Sequence, residues 1–117
     1  MLILAQILVV LVALLHLYFL VLEMFLWTQP LGLKTFRNSP EKAEITRVLA
    51  ANQGLYNGFL AAGLLWFLYA GQWNVVLFFL GCVVLAALYG AWSVNKRIFF
   101  LQGVPAIAAI VAICSLS

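Results

Sequence analysis

Hydrophobic residues run through this chain in four long blocks, separated by clusters of turn formers and charges rather than by short-period alternation. The first block extends from about Leu2 to Trp27 and stops at Thr28, Gln29, Pro30 and Gly32, residues that end helices. A loop of mixed charge follows, with Lys34, Arg37, Glu41, Lys42 and Glu44, in which Ser39-Pro40-Glu41 reads as a helix start. The second block covers roughly Ile45 to Ala70. Gly71 to Asn74 leaves room for a tight turn alone, so the second and third blocks are expected to be antiparallel neighbours. The third runs from about Val75 to Ser93, and after Asn95-Lys96-Arg97 the last begins near Ile98 or Gly103 and reaches Ser117. Counted from Gly103 it would be about 15 residues or roughly 22 Å long, which favours the earlier start, with Pro105 bending the helix.

A helix needs about 20 residues to cross about 30 Å of hydrocarbon, so 117 residues hold four such spans and no soluble domain. Composition agrees: 68% apolar residues, 8% charged residues and a mean hydropathy of +1.18 fall outside the soluble norm of roughly a quarter charged. Backbone groups in lipid must be satisfied internally, and unbroken apolar runs exclude the alternation of a barrel. The expected fold is an all-α integral membrane protein, one domain over residues 1–117, with spans at about 2–27, 45–70, 75–93 and 98–117.

Charge adds a direction. All six basic residues, Lys34, Arg37, Lys42, Arg47, Lys96 and Arg97, lie in or beside the first and third loops. The positive-inside rule therefore places those loops in the cytoplasm and both termini on the extracytoplasmic side. Trp27 and Trp92 would sit at the cytoplasmic interface, with Trp66, Tyr69 and Trp73 at the other. The net charge of +3 follows from this bias, and no basic face exists to track nucleic-acid phosphates. The first block lacks the basic start of a secretion signal and is too long for one, so it reads as a retained helix.

The polar residues inside the spans are the candidates for chemistry. Counted from the expected cytoplasmic ends, Glu23 is about 6 Å deep, His16 about 16 Å, Asn52 about 10 Å and Asn57 about 18 Å. Tyr89 and Trp92 occupy the same half, which makes a polar layer open toward the cytoplasm. His16 and Glu23 share a face of the first helix; Asn52 and Tyr56 share one on the second, as do Gln53 and Asn57. Gly54 and Gly58, continued by Ala62, form a small-residue ridge on which another helix can pack closely, with Asn57 beside it. An acid inside a span is a functional candidate by default, yet Glu23 also reads as an ion-pair partner of Arg47. His16 offers an acid or base, or a hydrogen-bonded packing residue. The amides Asn52, Gln53 and Asn57 read as ligand contacts or as interhelical hydrogen bonds. Cys82 and Cys114 read as apolar fillers, and with one histidine the chain lacks the ligand set of a metal site. A glycine-rich phosphate loop and a nucleophile elbow are also missing.

Through L-H-L-Y-F-L-V-L-E-M-F-L-W and A-N-Q-G-L-Y-N-G-F-L-A-A-G-L, the whole chain resembles a family of small bacterial integral membrane proteins classed as a domain of unknown function. T-R-V-L-A-A-N-Q with F-L-A-A-G-L-L-W behind it also resembles the second helix of MAPEG proteins, the membrane-associated eicosanoid and glutathione enzymes. That resemblance implies a left-handed four-helix bundle, a trimer and cytoplasm-facing grooves between subunits. In catalytic MAPEG members the second span supplies an arginine, an asparagine and a glutamate that hold glutathione. Aligned through Arg47, those positions here are Ala50, Gly54 and Asn57, and the thiol-activating arginine has no counterpart beyond Lys96 and Arg97. The non-catalytic branch, a scaffold that presents a fatty acid to a partner enzyme, also carries A-N-Q and is the nearer analogue.

Three functions are compatible with these residues. The first is a MAPEG-like trimer of the bacterial inner membrane that binds a lipid or other amphiphile without catalysis, through Glu23, Arg47, Asn52, Gln53, Tyr56, Asn57, Tyr89 and Trp92. The second is a membrane enzyme acting on a lipophilic substrate, of the glutathione-dependent transferase or isomerase type, with His16 or Glu23 as acid or base. The third is a small proton-coupled multidrug exporter. A one-sided basic bias argues against the antiparallel dimers of such exporters, and Glu23 lies nearer the interface than a transport carboxylate would.

Overall fold

The computed structural model describes residues 1–116, and the expected end of the last span at Ser117 lies outside them. The described residues form helices joined by short turns, without strands. Five helices follow in order: α1 (Leu2–Met24), α2 (Pro30–Phe36), α3 (Pro40–Tyr69), α4 (Trp73–Ser93) and α5 (Val104–Cys114), the last entered through a π-helical turn at Phe99–Gly103. Among them α1 and α4 are long and apolar enough to cross a membrane.

Local chemistry sets the helix ends. Ser39 Oγ accepts the backbone N–H of Lys42 at 3.2 Å, Pro40 occupies the first helical position and Glu41 lies in the first turn, as the Ser39-Pro40-Glu41 signal predicts. The helix that starts there runs without a break to Tyr69, so it takes in the charged segment expected to precede the second span. Its far end closes on Gly71, at φ 71°, with the Gln72 N–H donated to the Phe67 carbonyl. The α2 helix was not expected, because Pro30 and Gly32 read as turn formers; Pro30 instead begins the helix, and Arg37 ends it in the left-handed region at φ 55°. The π-helical turn precedes Pro105, which has no N–H to give and whose ring crowds the carbonyl four residues back, so the backbone widens there.

Contacts divide the chain into two compact units, residues 16–61 and residues 1–15 with 62–117. In the second of these, α3 and α4 are antiparallel neighbours, as the tight turn predicts. The Phe67 and Phe79 rings stack 6.1 Å apart, and Phe79 lies over Gly63, where a Cβ would come within 2.8 Å of the ring. The buried residues of α4, Val76, Leu80, Val83 and Ala87, recur every three or four positions. Most buried positions of the turn and α5 are small, Gly103, Ala106, Ala109 and Ala112, with Ile113 the exception near the end. Gly103 allows this close packing, since a Cβ there would meet Ala87 Cβ at 3.2 Å and the Phe99 ring at 2.9 Å. Gly81 has open space around its Cβ position. Alanine there should leave stability unchanged or raise it by up to about 1 kcal/mol, since glycine is the poorer helix former. Thermal unfolding in detergent measures this, and a clear loss would mean that the Gly81 surface is occupied.

The core is apolar apart from two side chains, yet many large apolar residues are exposed. The buried stripe of α1 runs Ala5, Val9, Val12, His16, Phe19 and Glu23, so its two ionisable side chains, 2% and 4% exposed, face inward. Large apolar side chains such as Ile7, Leu14, Phe78 and Leu85 face outward. An exposed apolar surface of that extent marks a membrane or partner interface.

Candidate functional site

Glu23 and Asn57 of the 16–61 unit meet where the C-terminal end of α1 crosses α3. The inner stripe of α3 is Ala43, Thr46, Ala50, Gly54, Asn57, Ala61 and Leu64, at the three-and-four spacing of one helix face, and most of it is small. Within the unit, Gly54 and Gly58 receive α1, as the ridge they form predicts. A Cβ at Gly54 would lie 2.7 Å from Met24 Cγ and 3.1 Å from Glu23 Cβ, and one at Gly58 would lie 2.6 Å from Leu20 Cδ1. This approach brings Asn57 Nδ2 within 2.5 Å of Glu23 Oε1, to which it donates. A carboxyl buried to this degree requires a polar partner, and the amide supplies one without adding a charge.

The bond also revises the depth count. Counting from helix ends set Glu23 and Asn57 about 12 Å apart, whereas the hydrogen bond places them level. The error lies in treating the ends of α1 and α3 as level. Residues after Met24 fold back along α3: Trp27 Nε1 donates to Thr46 Oγ1 at 3.1 Å, and the Trp27 ring packs on Phe36 with centroids 4.8 Å apart. Gly32 is the pivot of this fold-back, since a Cβ on it would fall 1.9 Å from the Leu26 carbonyl oxygen. Arg47 is ten residues from Asn57, about 15 Å along the helix, which is too far to pair with Glu23. It pairs with Glu44 instead, at 3.5 Å, with both side chains exposed.

The other candidates separate from this contact. Asn52, Gln53 and Tyr56 point outward from α3, where Tyr56 stands edge-on to Phe59 at 5.5 Å. Neither amide makes a side-chain hydrogen bond among the described residues, and exposed Leu49, Leu55 and Phe59 surround them. His16 is buried and meets Phe19 edge-on at 5.4 Å, about 10 Å along α1 from Glu23. Tyr89 and Trp92 belong to the other unit, both exposed and 6.0 Å apart. Among the described residues no cluster of histidine, cysteine and acidic side chains could hold a metal ion. Leu20, Met24 and Thr46 were not singled out from the sequence, and Trp27 and Gly32 read there only as an interface residue and a turn former. Extending the small-residue stripe of α3 from Ala43 through Asn57 would have pointed to Thr46 and separated Asn57 from the outward amides.

Residues 10–114 match the family model described as "Protein of unknown function (DUF1304)". The chain is 37% identical to the uncharacterized protein YpaA of Lactococcus lactis subsp. lactis over 114 residues, covering 94% of this chain and 96% of that protein. No solved structure matches the chain.

Proposed function

The chain belongs to the DUF1304 family, and we propose that it is a four-span inner-membrane protein that holds a lipid or other amphiphile against the outward face of α3, in a groove completed by further copies. In this reading both termini are extracytoplasmic and the groove opens toward the basic, cytoplasmic loops. The observation that carries it is the outward set Asn52, Gln53 and Tyr56, hydrogen-bonding groups without an internal partner on an apolar surface. Such groups in a bilayer need a ligand headgroup or a neighbouring subunit. The likeness of this helix to the second span of MAPEG proteins supports a trimer with intersubunit grooves. Glu23 and Asn57 then act as the internal clamp that fixes α1 on α3 behind the groove.

Catalysis is not required. Glu23 is buried and bonded to Asn57, and His16 is buried about two turns away, so the two do not form an acid–base pair at one substrate atom.

Native mass spectrometry from lipid nanodiscs tests the proposal, since it reports subunit number and retained small molecules together. The wild-type protein should release a trimer carrying a lipid-sized mass. Asn52→Leu with Gln53→Leu should reduce that retained mass by at least tenfold, with the protein still inserted. A strict monomer with nothing bound overturns the reading.

A further inference from the structure

The connection between α1 and α3 is built as a fixed platform. Trp27 is tied to Thr46 and packs at a tilt on Phe36, Gly32 lies under the Leu26 carbonyl, and the Arg37 N–H closes α2 on the Leu33 carbonyl. Thr35 Oγ1 donates to the Leu31 carbonyl, and Lys34 is exposed on the same short helix. Charges on this platform do not cancel. Arg47 is compensated by Glu44, and Glu41 lies in the first turn of α3, where the helix dipole stabilises it. Lys34, Arg37 and Lys42 are exposed and have no ion pair among the described residues. Exposed Phe25 and Leu31 flank the basic side chains with apolar surface.

The geometry points to a binding site for anionic phospholipid headgroups on this platform, with Arg37 and Lys34 on the phosphate and Phe25 and Leu31 among the upper acyl carbons. The inference rests on the membrane reading above. A guanidinium and an ammonium match a phosphodiester in charge, and arginine engages two of its oxygens at once. The ordered backbone holds both basic groups on one short segment, which a mobile loop of the same composition would not do. Positive loops alone set orientation during insertion; a platform of this kind also selects the lipid beside it.

The test uses the full chain reconstituted in bilayers of phosphatidylcholine and phosphatidylglycerol, with spin-labelled versions of both lipids reporting association at the protein surface. Wild-type protein should prefer phosphatidylglycerol, and the preference should fall by about fivefold for each basic side chain removed. Lys34→Gln with Arg37→Asn removes both, asparagine being tolerated in the left-handed region. Lys96→Gln with Arg97→Gln, in the other basic loop, should keep most of the preference. Equal association of the two lipids with wild-type protein overturns the inference, as does an equal loss in both double variants. If the first variant fails to fold, Lys34→Gln alone on the exposed side of α2 gives the same comparison. Alkaline carbonate extraction separates the two proposals. Release of the protein from membranes defeats the membrane reading itself, whereas retained protein with no anionic preference defeats the platform alone.

Discussion

Replacing Gly32 by alanine is expected to cost about 3 kcal/mol or more, the upper end of what overpacking produces. The added methyl would sit 1.9 Å from the backbone carbonyl oxygen of Leu26 and 3.0 Å from Trp27 Cα. Neither atom can move aside by changing rotamer, so the turn after α1 must open. Once it opens, the Trp27 bond to Thr46 and the ring contact with Phe36 go with it, and Lys34 and Arg37 lose their ordered backbone. Limited trypsin digestion of the inserted protein reads this directly, as faster cleavage after Lys34 and Arg37. Unchanged cleavage and unchanged unfolding would show that the fold-back along α3 does not depend on this close approach.

Asn57→Leu is expected to destabilise the contact of α1 with α3 by about 1–3 kcal/mol, and the size of the loss distinguishes two causes. A side-chain hydrogen bond inside a membrane contributes about 0.6 kcal/mol on average. Leaving a buried polar group without its partner costs about 1–3 kcal/mol. Because Glu23 is 4% exposed, the second effect dominates, and adding Glu23→Leu to Asn57→Leu should restore much of the stability lost. A double-mutant cycle in mild detergent measures the coupling. Strict additivity of the two substitutions would show that the carboxyl and the amide do not sense each other.

Helix positions were legible in the sequence because apolar runs, a serine–proline start and a glycine turn are local signals. Ser39 and Gly71 sit where those signals place them. The small-residue ridge at Gly54 and Gly58 was legible for the same reason, since it depends on spacing along one helix. The site was legible in its residues but not in its grouping. Asn52, Gln53 and Asn57 read as one wall, yet Asn57 falls on the inner stripe while the other two face outward. Asn52 is five residues from Asn57, enough to put it on nearly the opposite side, whereas Gln53, one turn before Asn57, falls at the margin of the stripe and is exposed instead of sharing its buried face. Pairing Glu23 with Asn57 rather than Arg47 required knowing that the chain folds back after Met24, which depends on contacts between Trp27 and Thr46 nineteen residues apart. The π-helical turn was missed because Pro105 announces a disturbance without saying whether the backbone bends or widens.

That turn also sets rotational phase. A π-helical turn accommodates one residue more than an α-helical one, and each residue of an α-helix turns the chain by about 100°. Every position after Gly103 is therefore rotated by that amount relative to a regular helix of the same sequence. Gly103, Ala106, Ala109, Ala112 and Ile113 form the buried side in this setting. A regular helix of the same sequence would instead turn Pro105, Ala108 and Val111, each one position earlier, toward the crowded side. The five-residue turn is thus an indexing device: loss of one residue from it can be absorbed by closing it to a regular turn, whereas straightening it with every residue kept would re-aim the helix that follows.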